Sequence, residues 1–351
     1  MVLGHAGFPF THFIYLFHMA IFFIASGYMW DDKNVATIAD CCKYLLRKFK
    51  TLWLPFIIAN GIFNLCNNLF LLIGIYTNDE LFLQLTISGN DKLIDFISFK
   101  ETIIAILKNI LFTGGTQMGG ATWFLRTLFA VSIINMVLRY LYRHFKFGKP
   151  VFWGCVVLSV IAAQIVTMSD ISLTLGINTY FAAYVAFLMG MFLKHYNIME
   201  SIKGKYVIIW ICTLVILLIM NNFVDIGMNT GLITNVIFFV IVSLAGWIFI
   251  YGIALLVNKT KLRSIFSYVG RHTLWILLLH FLSFKIVSCI YIMITGVNKL
   301  YLAAFPVIKI AGGAWWIAYT VVGVAVPLMV EWLIKSGISC TKKIMFKSEE
   351  A

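Results

Sequence analysis

Charged residues are scarce in this sequence. Only 12% of its 351 residues are Asp, Glu, Lys or Arg, whereas 62% are hydrophobic, and the mean hydropathy is +0.95. A soluble domain carries about 25% charged residues, so this composition excludes a soluble protein. Segments that alternate apolar and polar residues are also lacking, which excludes a barrel and requires the membrane-crossing segments to be helices.

Other missing patterns exclude several functions. Seven cysteines are present, but none follows CxxC spacing, so we predict neither a metal site nor a disulfide framework. The N-terminal stretch MVLGHAGFPF lacks the basic flank and the cleavage site of a signal peptide. The net charge is +13, yet no basic run carries interleaved aromatic residues, and we therefore expect no nucleic-acid partner.

Nine apolar segments approach the length that a hydrocarbon core of about 30 Å requires. They predict an all-α, polytopic transmembrane helix bundle that forms a single membrane-embedded domain over residues 1–351. We expect residues 1–5 to be the end of an N-terminally truncated first helix. The nine predicted spans are Phe13–Trp30, Leu52–Ile75, Ala121–Tyr142, Val151–Met168, Leu173–Leu193, Tyr206–Asn221, Leu232–Val257, Thr273–Ile294 and Gly313–Ile334.

Lysine and arginine residues gather in alternate loops, as Arg47, Arg143 and Lys261 illustrate. Cytoplasmic loops hold the positive excess, so we expect these loops and a C-terminal tail at 336–351 to lie in the cytoplasm. We expect the protein itself to lie in the plasma or inner membrane of the cell. The opposite, external segment at 76–120 contains SFKETIIAILKNILF. Its Ser98 and Glu101 predict a capping box and a helix that contacts membrane lipid at the surface.

Few ionisable side chains fall within the predicted spans, and each is costly there and thus a functional candidate. His18 lies in the first complete span, Arg126 in the third and His280 in the eighth, while His5 precedes the first external loop. Histidine titrates near neutral pH and can take a proton from a hydroxyl that attacks an acyl group. Structural roles stay open, because histidines also bond to neighbouring helices, and arginines also extend to headgroups. For Lys285 we expect either extension towards the headgroups or structural pairing.

Five motifs resemble, in the same order along the chain, those of the acyltransferase 3 family of integral membrane O-acyltransferases. In the second motif, Ala20 stands where the family has proline. Details of the third and fourth favour a likeness to the fucose 4-O-acetylase branch. The motifs are VLGH (Val2–His5), FHMAIFFIASGY (Phe17–Tyr28), KYLLRKFKTLWLPF (Lys43–Phe56), WFLRTLF (Trp123–Phe129) and GRHTLWILLLH (Gly270–His280).

The resemblance implies transfer of an acetyl or other acyl group from cytosolic acyl-CoA to a hydroxyl of a cell-surface or lipid-linked saccharide. Acyl-CoA is then a co-substrate, and no cofactor stays bound. The implied site residues form three groups. They are the catalytic His5 and His18, the acyl-CoA-binding Arg47 and Lys50, and Trp123, Arg126 and His280 for the acceptor or the oxyanion.

Two features depart from the family pattern. The family has an arginine near the start of its first helix, which this chain does not contain, and Lys50 replaces an arginine that could bind phosphate in a bidentate manner. Two other functions stay open. One is a transporter or flippase of a saccharide or lipid-linked precursor, which usually has inverted repeats and coupling carboxylates that are not visible here. The other is an inactive fragment of the acyltransferase.

Overall fold

Helices build most of the described chain. The computed structural model describes residues 1–86, 89–169, 177–202, 206–229 and 232–349. Besides the helices, the described residues contain a short antiparallel pair of strands, β1 (Ile226–Gly227) and β2 (Leu232–Ile233). The helices are α1 (Val2–His5), α2 (Thr11–Tyr15), α3 (Ala20–Tyr28), α4 (Ile38–Lys48), α5 (Leu54–Leu65), α6 (Asn67–Leu72), α7 (Leu81–Leu85), α8 (Phe99–Ile110), α9 (Trp123–His144), α10 (Gly148–Ser169), α11 (Asn178–His195), α12 (Ile198–Ser201), α13 (Tyr206–Met220), α14 (Val236–Val257), α15 (Leu262–Arg271), α16 (Thr273–Thr295) and α17 (Trp315–Glu349).

Six stretches of the described residues are long and apolar enough to cross a membrane, and they agree with six of the nine predicted spans. They are Thr11–Tyr28, Gly120–His144, Gly148–Val166, Val236–Val257, Thr273–Thr295 and Trp315–Gly337. The chain is therefore a multi-pass membrane protein.

The other three predicted spans stay predictions. The predicted span Leu52–Ile75 is divided at Cys66 into α5 and α6, and the predicted span Tyr206–Asn221 contains only the 15 residues of α13. The start of the remaining one, at Leu173, lies outside the described residues, and α11 follows from Asn178. A count of nine spans is thus not confirmed.

The first complete span is not one regular helix. Residues 16–19 separate α2 from α3, and the Phe17 N–H donates to the carbonyl three residues earlier, Ile14 O, at 3.3 Å. His18 lies in this interruption. Irregular backbone at membrane depth is tolerated only where it is buried in protein or lines a cavity, so the break places His18 at such a position.

The predicted capping box begins α8. The Glu101 carboxylate accepts a hydrogen bond from the Ser98 N–H at 2.7 Å, and the Ser98 hydroxyl accepts one from the Glu101 N–H at 3.3 Å. The helix is thereby confirmed, while its position at a membrane surface stays a prediction. At the other end of the chain, α17 continues through most of the predicted tail to Glu349.

Helices α3, α9 and α11 form the centre of the bundle. Glycines let α3 and α11 touch, because a Cβ on Gly27 would lie 1.9 Å from the Phe187 carbonyl oxygen. Small residues permit this close approach of helix backbones in membranes. The hydroxyls of Thr127 and Thr179 lie 3.0 Å apart and set the register between α9 and α11. Side chains at equal distances along the chain from these two threonines therefore lie at similar depths.

Candidate active site

A cavity of about 520 Å³ lies at the end of the bundle where α1 turns into α2. His5, His18, Tyr15 and Trp123 line it, and the segment Phe305–Ile308 forms another part of its wall. We call it the histidine cavity. The predicted catalytic pair, His5 and His18, is thus brought together, and Trp123 lies in the same cavity.

The hydrogen bonds of His5 define its tautomer. The Tyr15 hydroxyl donates its only proton to the Gly4 carbonyl oxygen at 2.9 Å, and its oxygen lies 3.2 Å from His5 Nδ1. Because the Tyr15 oxygen can then only accept, His5 must donate from Nδ1. The neutral ring therefore carries its proton on Nδ1 and leaves Nε2 unprotonated as a base.

His280 is fully buried and stacks on His5, with ring centres 5.6 Å apart. Its Nδ1 lies 2.9 Å from the Ile276 carbonyl oxygen and 3.1 Å from that of Leu277, which fixes the proton on Nδ1. Its Nε2 is buried and has no hydrogen-bond partner among the described residues. In this tautomer Nε2 can accept a hydrogen bond but cannot donate one.

Tyr15 connects the two predicted catalytic histidines. Its ring stacks on His18 with centres 4.8 Å apart, while its hydroxyl contacts His5. The sequence analysis missed Tyr15. Tyr15 precedes His18 by three residues, a spacing that places both side chains on one helical face. This spacing is the sequence feature from which the role of Tyr15 could have been predicted.

Arg126 does not line the histidine cavity. Its Nη1 donates to the Phe112 carbonyl oxygen at 3.1 Å and so holds the chain that follows α8. The predicted acceptor or oxyanion group is therefore divided. Trp123 lines the cavity and His280 stacks on His5, whereas Arg126 points to another part of the protein.

The wall of the histidine cavity is held by two buried charged side chains. Lys285 Nζ donates to the carbonyl oxygens of Leu302 at 2.9 Å and Ala304 at 2.7 Å, a structural pairing of the kind expected for it. Asp91, which the sequence analysis did not single out, accepts from the Phe305 N–H at 2.7 Å, and burial raises the pKa of its carboxyl group. Both contacts position the segment that begins at Phe305.

A second cavity, of about 310 Å³, lies at the opposite end of the bundle. We call it the Trp30 cavity; it is lined by Gly27, Trp30, Asp31, Asp32, Arg139, Met191, Lys194 and His195. Its charges are largely paired. Lys194 Nζ donates to the Trp30 carbonyl oxygen at 2.5 Å, and Arg139 forms an ion pair with Asp32. Burial opposes ionisation of Asp32, but hydrogen bonds from Arg139 and Trp30 outweigh it and lower its pKa.

The predicted acyl-CoA-binding residues line neither cavity, but Arg47 is connected to the Trp30 cavity through Tyr44. Arg47 is exposed; its Nη2 donates to Asn34 Oδ1 at 3.0 Å, and its guanidinium lies 5.2 Å from the centre of the Tyr44 ring. Lys50 is exposed as well. The Tyr44 ring in turn contacts Trp30, with centres 5.2 Å apart. A basic surface on α4 therefore adjoins the cavity.

None of the described residues lines both cavities. Met19, which directly precedes α3, lines the histidine cavity, and Gly27 of α3 lines the Trp30 cavity. Phe23 lies four residues, about one helical turn, from each of them. The Phe23 ring packs edge-on against Phe124 of α9, with centres 5.1 Å apart. Aromatic side chains thus fill the bundle between the two cavities.

The chain matches one protein family over most of its length. The model of the acyltransferase 3 family, which is described as an acyltransferase domain, matches residues 1–332. No curated protein and no solved structure matches the chain. Its multi-pass helices agree with that match. The chain therefore belongs to the acyltransferase 3 family of membrane acyltransferases.

Proposed function

We propose that this protein moves an acetyl or other short acyl group from acyl-CoA to a hydroxyl of a cell-surface or lipid-linked saccharide. The observation that carries the proposal is His5, whose Nδ1 proton is fixed by Tyr15 while the ring lines a cavity large enough for a sugar. A general base needs this arrangement, an unprotonated nitrogen held in place beside its substrate.

In the proposed reaction His5 Nε2 takes the proton of the saccharide hydroxyl as the oxygen attacks the thioester carbonyl carbon. A new C–O ester bond forms, the C–S bond breaks, and the proton passes from His5 to the leaving thiolate to give free CoA. Trp123 offers its indole face to the sugar ring in the same cavity, as aromatic side chains commonly do for apolar ring faces. His18 lies beside the reacting groups through its contact with Tyr15.

The donor is proposed to enter from the opposite end. Arg47 and Lys48 on α4, with Lys50 two residues beyond its end, form a positively charged surface that suits the phosphates of CoA. The concentration of cations at this end also supports a cytosolic orientation for it and for the C-terminus. The likeness to the fucose 4-O-acetylase branch is part of the same proposal and supports a saccharide acceptor.

Mass spectrometry of surface polysaccharide from cells with and without the gene tests this function. We expect a mass difference of one acetyl group per modified repeat, and transfer of labelled acetyl from acetyl-CoA in isolated membranes. Movement of unmodified saccharide across the membrane, with no label incorporated, would instead indicate the transporter. Identical polysaccharide from both strains, with no label incorporated in any membrane fraction, would point to an inactive chain.

A further inference from the structure

Two buried polar side chains between α9 and α11 have unpaired groups. Asn135 is fully buried, and neither its amide nitrogen nor its amide oxygen has a hydrogen-bond partner among the described residues. The hydroxyl of the buried Tyr184 is unpaired as well. Buried polar groups are nearly always hydrogen-bonded, and leaving them unpaired costs stability. A ligand that fills these bonds would account for both residues.

Both residues lie deeper in the bundle than the Trp30 cavity and on the faces that meet there. Asn135 precedes Arg139 by four residues on α9, and Tyr184 precedes Met191 by seven on α11, spacings that keep each pair on one helical face. Arg139 and Met191 line the cavity. Asn135 therefore lies about 6 Å, and Tyr184 about 10 Å, further into the bundle.

We propose that Asn135 and Tyr184 bind the pantetheine arm of the acyl donor. This inference rests on the proposed function, because it assumes that the donor enters at the Trp30 cavity. The arm is a thin chain with two amide groups and a terminal thioester. Each amide needs one acceptor for its N–H and one donor for its C=O, and the Asn135 amide supplies both. The Tyr184 hydroxyl can donate or accept.

The distance between the cavities suits a donor whose extended pantetheine arm is bound between them. Arg139 and Trp123 line opposite cavities and lie 16 residues apart on α9, which corresponds to about 24 Å. A nucleotide bound at the basic end thus needs its extended arm to bring the thioester to His5. Asn135 lies on this path, and the rings of Phe23 and Phe124 must move aside for the arm to pass.

The test compares donors that differ in the length of the arm and in the number of its amides. We would measure kcat/KM of the purified full chain with the acetyl thioesters of pantetheine, which has two amides, and of N-acetylcysteamine, which has one. We expect the wild-type protein to prefer the pantetheine thioester. Asn135→Leu should lower the ratio of the two kcat/KM values about tenfold, the effect of one hydrogen bond, without lowering the thermal midpoint. Tyr184→Phe should reduce it by a smaller factor.

Asn109→Leu is the matched control. Asn109 is also fully buried with both amide atoms unpaired, but it lies on α8 and lines neither cavity. Its replacement should leave the donor preference unchanged. The inference is overturned if Asn135→Leu keeps the wild-type preference, or if Asn109→Leu reduces it equally.

Calorimetric titration with free CoA separates this inference from the proposed function. If the wild-type protein binds CoA, Asn135→Leu binds it about tenfold more weakly and no acyl group is transferred, the binding role stands and the proposed function falls. If transfer occurs but Asn135→Leu binds CoA as tightly as the wild-type protein, the binding role alone falls. A wild-type protein that binds no CoA contradicts both.

Discussion

The histidine cavity and the Trp30 cavity pair their polar side chains differently. In the histidine cavity, the Nδ1 protons of His5 and His280 are bound, so that both Nε2 atoms are left as acceptors. In the Trp30 cavity, Arg139 and Lys194 already bind Asp32 and a backbone carbonyl. One end of the bundle holds bases ready to take a proton, whereas the other holds its cations in fixed positions. The proposed proton transfer and the proposed donor binding are thereby separated along the length of the bundle.

Replacement of His5 tests the reactive end most directly. We expect His5→Ala to lower kcat by about 10²- to 10⁴-fold, because the proton acceptor for the attacking hydroxyl is lost. CoA binding at the other end should stay unchanged. Labelled acetyl transfer in membranes measures the first quantity, and calorimetric titration with CoA measures the second.

His12→Ala is the control for this experiment. His12 lies at the same end of the bundle, where its ring bonds to Asp225 and Asn221 at 2.9 Å each, and it does not line the histidine cavity. It should retain most of the activity. Near-normal transfer by His5→Ala would mean that another group accepts the proton.

The crossing of α3 and α11 holds the two cavities in one framework, and Gly190→Ala should disturb both. A Cβ on Gly190 would lie 2.0 Å from the Ile24 carbonyl oxygen, so the helices must separate at a cost of about 1–3 kcal/mol. We expect a fall of several degrees in the thermal midpoint in detergent. Gly154→Ala in α10 is the matched control, because a Cβ added at Gly154 would have no neighbouring atom within 4 Å. An equal fall in both variants would contradict the packing argument.

Tyr15→Phe distinguishes an oriented base from one that is merely present. The variant removes the oxygen that accepts from His5 Nδ1, so the His5 ring is no longer held in one tautomer. We expect kcat to fall about tenfold, in line with the loss of one hydrogen bond, with little change in KM for either substrate. The pH profile of kcat should also shift, which a purely structural role would not cause. An unchanged pH profile would assign Tyr15 to packing alone.

Local patterns predicted the helices and part of the site, and long-range contacts account for the rest. Span length identified six membrane-crossing stretches, and the capping box of Ser98 and Glu101 identified α8, because both signals lie within a few residues. His5 and His280 were both candidates from the sequence, but their stacking was not predictable.

The missed contacts join residues far apart in the chain. Arg139 pairs with Asp32 across 107 residues, and no short motif contains both. For Arg126, its position in the predicted span indicates the depth of the side chain but not its direction, which depends on the Phe112 carbonyl. The interruption between α2 and α3 at residues 16–19 was likewise not predictable, because position 20 holds alanine and not a proline that would indicate it.

Arg47 and Lys50 test the basic end. We expect Arg47→Ala to raise KM for acyl-CoA about fivefold and to leave KM for the saccharide unchanged, because an exposed ion pair contributes up to about 1 kcal/mol. Lys50→Ala should have a smaller effect, since a lysine cannot bind phosphate in a bidentate manner. Initial rates with each substrate varied in turn give both constants. Equal increases in the two KM values for Arg47→Ala would reject a role specific to the donor.

Lys48 gives the basic end a pH dependence of its own. Burial, and secondarily the charge of Arg47, lowers the pKa of Lys48 to about 8. Its ammonium group, 5.3 Å from the centre of the Tyr44 ring, is therefore charged below that pH and becomes neutral above it. The phosphates of CoA should bind more tightly on the acidic side. We expect the Kd for CoA to rise about threefold between about pH 7 and about pH 9, the contribution of one exposed charge pair. Lys48→Arg, which stays charged across this range, should show almost no rise. Because calorimetric Kd values do not involve proton transfer at His5, a pH effect that persists in Lys48→Arg must come from another group at the basic end.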